Sequence, residues 1–235
     1  MRVEILGTRG NVPPSAPKHA RHAGVLVDAT ILLDFGERSY LRRRPRAIFI
    51  THLHSDHAAF LTTRAVPRAA LYLPEASAIV PAANVISRPV QLGAHRIVPV
   101  PTEHATNARS LGYIVERGRR RVFYSSDMIS IHRRYYARLG RLDLVITDGS
   151  FMRRGGLVRQ DRATGRRFGH AGIPDLVAFF RRFTRRIVIT HFGSWFYADV
   201  AKSARRVAAL GDGVRVSAAH DGTIIRVGRA AHTHR

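Results

Sequence analysis

The chain has no cysteine. Disulfides and thiolate metal ligands are therefore excluded, although the compartment is not fixed by this alone. Lysine is almost absent: Lys18 and Lys202 are the only two, so the cationic charge is nearly all arginine. Acidic residues number 16 against 39 basic ones, which leaves a formal charge of +23. Such a surface attracts polyanions, nucleic acid first. A genome-wide arginine bias would produce the same composition with no partner behind it. No apolar run approaches the length that spans a bilayer, so no membrane contact is expected. Residues 1–7 read as a first strand and not as a signal peptide, and a cytoplasmic location is the expectation. What is present is enough for one domain, residues 1–235, with a sizeable core, since 45% of the chain is hydrophobic.

One stretch carries unusual chemistry. Thr51-His52-Leu53-His54-Ser55-Asp56-His57 packs three histidines and a carboxylate into six positions. It follows the apolar run Ala47-Ile48-Phe49-Ile50, which reads as a buried strand. A strand that stops at a loop can aim several side chains at one volume, as a metal requires. His52 and His54 alternate and face one way in extended chain, whereas Asp56 and His57 are adjacent and diverge. Two neighbouring metals, one for each pair, fit this spacing.

Elsewhere the pattern is of short strands with some helices between them. Residues 2–7 alternate as a strand, and residues 8–22, with three prolines, form a loop. Residues 23–27 and 31–33 predict a hairpin closed by Asp34-Phe35-Gly36. Strands are expected over 69–73 and 97–101, with a short helix over 75–80. Residues 111–116 and 121–125 predict a second hairpin, followed by a strand over 142–147 that ends at Asp148-Gly149-Ser150. Residues 152–169 are rich in glycine and arginine without apolar period, which predicts a mobile basic loop. Ile173, Leu176, Val177 and Phe180 fall at helical spacing, with Pro174 tolerated in the first turn. A strand over 186–189, a helix from about 199 to 210, and strands over 214–217 and 223–227 follow. Residues 228–235 read as a frayed tail. A sheet-on-sheet core covered by helices fits this order.

A strand end is followed at once by histidine or aspartate at His52, His104, Asp127 and His191. With Thr51–His57, these positions resemble the metallo-β-lactamase superfamily and its HxHxDH motif. The resemblance implies an α/β (α+β) fold, an αββα four-layer sandwich of two mixed β-sheets flanked by helices. It implies that one metal takes His52, His54 and His104 and the other Asp56, His57 and His191. Asp127 would lie between them with a water or hydroxide. Asp34 would support the metal loop from behind. Two divalent ions are expected, zinc first, with manganese or iron as alternatives.

Cysteine stands at the position of Asp127 in the main zinc β-lactamases, and glutamate at that of His54 in flavodiiron oxidoreductases, so neither fits. Leu6-Gly7-Thr8, Ile48–Thr51 and Gly169-His170 are similar to ribonuclease Z and to the phosphodiesterase of the carbon–phosphorus lyase pathway. The long tRNA-gripping arm of ribonuclease Z is absent or reduced to the basic loop near 152–167. The resemblance thus implies a phosphodiesterase acting on a small or nucleotide-like substrate. Asp56 and His170 are the candidate catalytic residues, His170 as general acid for the leaving oxygen. An endoribonuclease that contacts RNA through the arginine surface is the second reading. A nucleic-acid-binding module with an inactive metal centre is the third. Dimers occur among such relatives, which makes a homodimer the assembly to test. His220 is read as a non-ligand beside an Asp221-Gly222 turn. His19, His22, His95, His132, His232 and His234 are read as surface residues.

Overall fold

Strands with unbroken apolar runs need cover on both faces, and this chain has several. The computed structural model describes residues 1–63 and 65–228. The strands in chain order begin with β1 (Arg2–Gly7), β2 (Gly24–Val27), β3 (Ile31–Leu33), β4 (Ala47–Phe49), β5 (Ala70–Leu73) and β6 (Asn84–Val85). There follow β7 (Val90–Leu92), β8 (His95–Glu103), β9 (Ser110–Arg117), β10 (Arg120–Ser126), β11 (Ser130–Ile131) and β12 (Leu144–Gly149). The last are β13 (Leu157–Gln160), β14 (Arg167–His170), β15 (Arg186–Phe192), β16 (Arg215–Ala218) and β17 (Ile224–Arg226). The α-helices are α1 (Phe60–Thr63), α2 (Tyr136–Leu139), α3 (Ile173–Phe180) and α4 (Val200–Ala208).

One mixed sheet runs β17-β1-β2-β3-β4-β5-β6, and the other runs β11-β8-β9-β10-β12-β15-β16, with β7 beside β8. Alternate side chains divide between two interiors. Ile5, Val25, Leu33 and Phe49 of the first sheet meet Tyr113, Val122, Tyr124, Leu144, Ile146 and Val188 of the second. The opposite face of the second sheet packs Ile114, Phe123, Val145, Ile187 and Ile189 against Ile173, Leu176, Val177 and Phe180 of α3 and Val207 of α4. The opposite face of the first sheet lies under Tyr40, in a short 3-10 turn, and under Phe60 of α1. The four layers are those of the αββα sandwich.

Two local expectations fail for physical reasons. No helix forms over 75–80; among the described residues the chain there is turns and bends. Pro74 and Pro81 leave six residues between them, too few to repay helix nucleation, and Pro81 drives Val80 out of the helical region. Residues 152–169 are not a structureless loop. β13 and β14 pair antiparallel from Leu157↔His170 to Gln160↔Arg167. The turn is built by Asp161, whose carboxylate accepts from the amides of Ala163 and Thr164 and the Thr164 hydroxyl, and by Gly165 at φ +68°. The expected tail falls mostly outside the described residues, as do His232 and His234. No helix among the described residues is long and apolar enough to cross a membrane.

Candidate metal centre

β3 to β6 run parallel in one sheet and β10, β12, β15 and β16 run parallel in the other. Their carboxyl ends open on one edge of the sandwich, the usual place for a site in such sheets. Residues 52–57 follow β4, Asp127 follows β10, and Asp148 and His191 are the penultimate residues of β12 and β15. His104 follows β8, and His170 ends β14. Register irregularities aim two of these groups. Between β12 and β15 the pairing passes from Asp148↔Thr190 to Gly149↔Phe192, so His191 is the residue skipped, at φ +57°. Between β10 and β12 it passes from Tyr124↔Ile146 to Ser126↔Thr147, and Ser126, at φ +49°, turns the chain into Asp127. A non-glycine residue held there costs about 1–3 kcal/mol, which the surrounding buried packing must offset.

All seven expected ligands converge. His52, His54 and His104 form one group and Asp56, His57 and His191 another, with candidate donor atoms inside 4.8 Å of one another in each. Asp127 faces both. Its Oδ2 lies 3.8 Å from His52 Nε2 and 3.5 Å from His104 Nε2, and its Oδ1 lies 3.4 Å from His57 Nε2 and 3.1 Å from His191 Nδ1. Asp56 Oδ2 stands 3.1 Å from His191 Nε2 and 3.3 Å from His57 Nε2.

The far side of three of the rings shows how their donors are oriented. His57 Nδ1 donates to Asp34 Oδ2 at 2.8 Å, and His104 Nδ1 donates to the Gly169 carbonyl at 2.9 Å. Thr51 Oγ1 donates to Asp34, which leaves it to accept from His52 Nδ1 at 3.0 Å. These bonds fix the tautomers and leave Nε2 lone pairs pointing inward. Asp34, held also by the Tyr124 hydroxyl at 2.7 Å, thus braces the loop from behind.

The inward atoms fit a cation. His104 Nε2 is buried without a hydrogen-bond partner. His52 Nε2 lies 3.0 Å from His54 Nδ1, and His57 Nε2 lies 3.2 Å from His191 Nε2. Two facing imidazole nitrogens can share one proton, whereas a divalent ion satisfies both lone pairs. The donor set is imidazole and carboxylate only, which suits zinc, manganese or iron.

The two groups differ electrostatically. Burial, reinforced by the neighbouring His57, holds His52 well below the usual histidine range, and burial likewise lowers His104. Burial also works against charge on His57 and His191, but the Asp127 carboxylate and its neighbours outweigh it, raising His57 and pushing His191 up to about 10. Burial would raise Asp56, yet His57 and His191 hold it far below the carboxylate range. The carboxylates of Asp56 and Asp127 therefore hold their charge against His57 and His191, whereas the His52 and His104 side is neutral imidazole.

His170 sits beside this centre, its ring centroid 4.8 Å from that of His104 and 6.0 Å from that of His191. Its Nδ1 donates to Asp148 Oδ2 at 2.7 Å. Burial alone would lower its pKa, but the Asp148 charge and hydrogen bond raise it above the usual value. Asp148 is fully buried and also accepts from the amides of Ser150 and Met128. It clusters with Asp127, His170 and His191. The sequence reading passed over Asp148, although it too stands at a strand end, the signal that marked the others. A cavity of about 440 Å³ opens over Asp56, His54, His104, Asp127, His170 and His191, walled partly by Trp195 and Gly10–Val12.

The remaining histidines divide. His220 is exposed, joins none of the clusters, and lies with Nδ1 3.0 Å from the Asp221 carbonyl. Asp221 does more than make a turn: it accepts from Thr8 Oγ1 and from the amides of Ala20 and Arg21, tying down the loop that carries Gly10–Val12. His132 is exposed and His22 half-buried. His19 and His95 are not surface residues. His19 is buried against Phe192 and Phe196, and His95 is buried with Nε2 2.8 Å from Asp28 Oδ2.

Comparison with known proteins agrees with this fold. The sequence profile described as the β-lactamase superfamily domain matches residues 25–192. Among solved structures, the metallo-β-lactamase fold protein YhfI from Bacillus subtilis is similar, with TM-score 0.71 and 18% identity over 95% of this chain and 98% of that one. A diphosphatase of the PhnP family gives 0.66 and 19% over 96% and 97%. Human tRNase Z, short form, gives 0.64 and 18% over 97% and 100%. No curated protein matches by sequence.

Proposed function

The chain belongs to the metallo-β-lactamase superfamily of metal-dependent hydrolases, and from that premise we propose that it is a binuclear phosphodiesterase. His52, His54 and His104 would hold one ion, Asp56, His57 and His191 the other, and Asp127 both. Zinc is the ion expected first, manganese or iron the alternatives. Two divalent cations held there would lower the pKa of a water toward about 7 and neutralise the non-bridging oxygens of a phosphate.

The observation that carries the reading is the Asp148–His170 pair at 2.7 Å. With Nδ1 committed to Asp148, His170 offers Nε2 to the cavity, and the Asp148 carboxylate stabilises the ring when Nε2 carries a proton. An alkoxide is a poor leaving group and gains roughly 10²–10⁴ from a positioned acid. A thiolate, with a conjugate acid near 8.5, gains far less, which argues against thioester hydrolysis. In the proposed step water adds to phosphorus, the bond to the leaving oxygen breaks, and that oxygen takes the His170 proton. The proton released by the water restores His170. Asp56, kept anionic, orients the water by accepting its hydrogen bond.

The test is hydrolysis of bis-p-nitrophenyl phosphate by metal-stripped protein refilled with zinc or manganese. Metal-dependent turnover is expected. Full metal occupancy with no turnover on this or any dinucleotide would overturn the proposal.

A second reading, an endoribonuclease of the ribonuclease Z type, is favoured by the arginine surface. A cavity of about 800 Å³ away from the metal centre is lined by Arg141, Arg181, Arg182, Arg185, Arg186 and Arg226. These cations would hold the phosphates of a longer RNA substrate.

A further inference from the structure

The β13–β14 hairpin stands over the centre with a defined inner face. Directly paired residues of antiparallel strands share a face, as do residues two apart. The register Leu157↔His170 and Arg159↔Phe168 therefore puts Leu157, Arg159, Phe168 and His170 on one side. That side borders a cavity of about 370 Å³, shared with His54, His104 and the 105–107 segment. The hairpin is anchored to the centre near its base: the Gly169 amide donates to the His104 carbonyl at 2.7 Å, and His104 Nδ1 donates to the Gly169 carbonyl at 2.9 Å.

Three of these side chains have no structural employment. Phe168 and Leu157 belong to none of the hydrophobic clusters, although each is a large apolar group. The Phe168 ring has no aromatic partner among the described residues. The Arg159 guanidinium makes no hydrogen bond or ion pair among the described residues, unlike its neighbours. Arg166 donates to the Thr106 carbonyl at 3.0 Å, and Arg167 pairs with Glu103. A half-buried ring beside an unpaired guanidinium, on the wall of a site for an anion, is the combination that holds stacked bases. Phe168 is two residues from His170 on the same face, about 7 Å along the strand, which leaves room for a sugar-sized spacer.

We propose that the inner face of this hairpin is an aromatic subsite, so that the substrates are phosphoesters carrying a nucleobase or aryl ring about one sugar's length from the phosphate, stacked on Phe168. The proposal rests on the phosphodiesterase reading and narrows its substrate class.

The experiment is titration calorimetry on metal-loaded protein with adenosine 5′-monophosphate, ribose 5-phosphate and orthophosphate. The base is expected to tighten binding over ribose 5-phosphate by roughly 5- to 150-fold, the range of one stacked base. Phe168→Ala should collapse that ratio below about twofold, the factor that separates a lost stack from scatter, while binding of the other two ligands stays as in the parent. Phe168→Tyr should retain the ratio. Equal binding of the two sugar phosphates by the parent would overturn the subsite. So would an equal loss for all three ligands in Phe168→Ala, which would mark Phe168 as structural support. Failure of metal-loaded protein to bind orthophosphate would instead overturn the phosphodiesterase reading beneath it.

Discussion

The Asp148 carboxylate holds His170 Nδ1 at 2.7 Å from full burial, and two backbone amides hold Asp148 in turn. A ring fixed on one nitrogen presents the other in one direction. This is how a histidine at the base of a hairpin acquires the rigidity of the sheet beneath it.

Asp148→Asn and His170→Ala should therefore act on the leaving group. Hydrolysis of a dinucleotide, with an alkoxide leaving, should fall about 10²-fold or more. Hydrolysis of bis-p-nitrophenyl phosphate, whose leaving phenolate needs little help, should fall far less. Parallel kinetics on both substrates checks this, and equal losses would assign the pair a role in metal holding or folding.

Metal content separates the two groups. Elemental analysis should find two ions per chain, as the two donor groups imply. His104→Ala should cost one ion, and Asp127→Ala, which faces both groups, should weaken both. Removing metal with a chelator should lower the melting temperature on the order of 10 °C, since a ligand far above its Kd stabilises by several kcal/mol. A single ion in the parent would contradict the binuclear assignment.

Gly169 has φ +117°, and a Cβ there would stand 2.0 Å from the Leu157 carbonyl oxygen. Gly169→Ala should push β14 away from β13 and break the two hydrogen bonds to His104. Weaker metal binding together with a loss of about 1–3 kcal/mol in stability is expected, read by metal titration and denaturant unfolding.

Stability should depend on acid through Asp28, far from the metals. Burial would raise its pKa, but the Arg2 amide, His95 and Arg117 outweigh that and hold it below the ordinary value of 3.8. A depressed folded pKa contributes stability that is present above the unfolded value and is lost as pH falls through the folded one. Asp28→Asn should thus destabilise the protein at pH 6, and the gap to the parent should close below about pH 4. A gap constant from pH 6 to 3 would refute the ion-pair account.

Affinity for single-stranded RNA should fall steeply with salt if the arginines hold phosphates. Arg141→Ala with Arg185→Ala should flatten the log–log slope by about 1.4 while leaving hydrolysis of the small diester intact. A flat salt response in the parent would leave compositional bias as the account of the charge.

The sequence alone determined the edge on which chemistry gathers. Thr51–His57 is a local feature, and the strand before it aims the donors whatever the rest of the chain does. Continuous apolar runs such as Ala47–Ile50 and Leu144–Ile146 required two covered faces, and so a layered fold. The flanking strand ends brought His104, Asp127 and His191 into view because a ligand directly after an apolar run is a short-range pattern. Only the tertiary structure decided the rest. Asp148 became the partner of His170 because bonds from Gly169 to His104 and from Ala171 to Met128, with the Phe151–Gly172 bridge, lay the end of β14 beside β12, outside the ladder of β12 with β15, and no local spacing encodes those contacts. His191 is aimed by a one-residue slip in that ladder. The hairpin over 157–170 exists because the Asp161 turn and the Gly169 clamp on His104 hold two strands too short and too polar to announce themselves. His19 and His95 are buried because distant segments close over them. Side-chain alternation and turn chemistry are properties of neighbours in sequence, whereas register, burial and pairing are set by which strands the whole chain lays side by side.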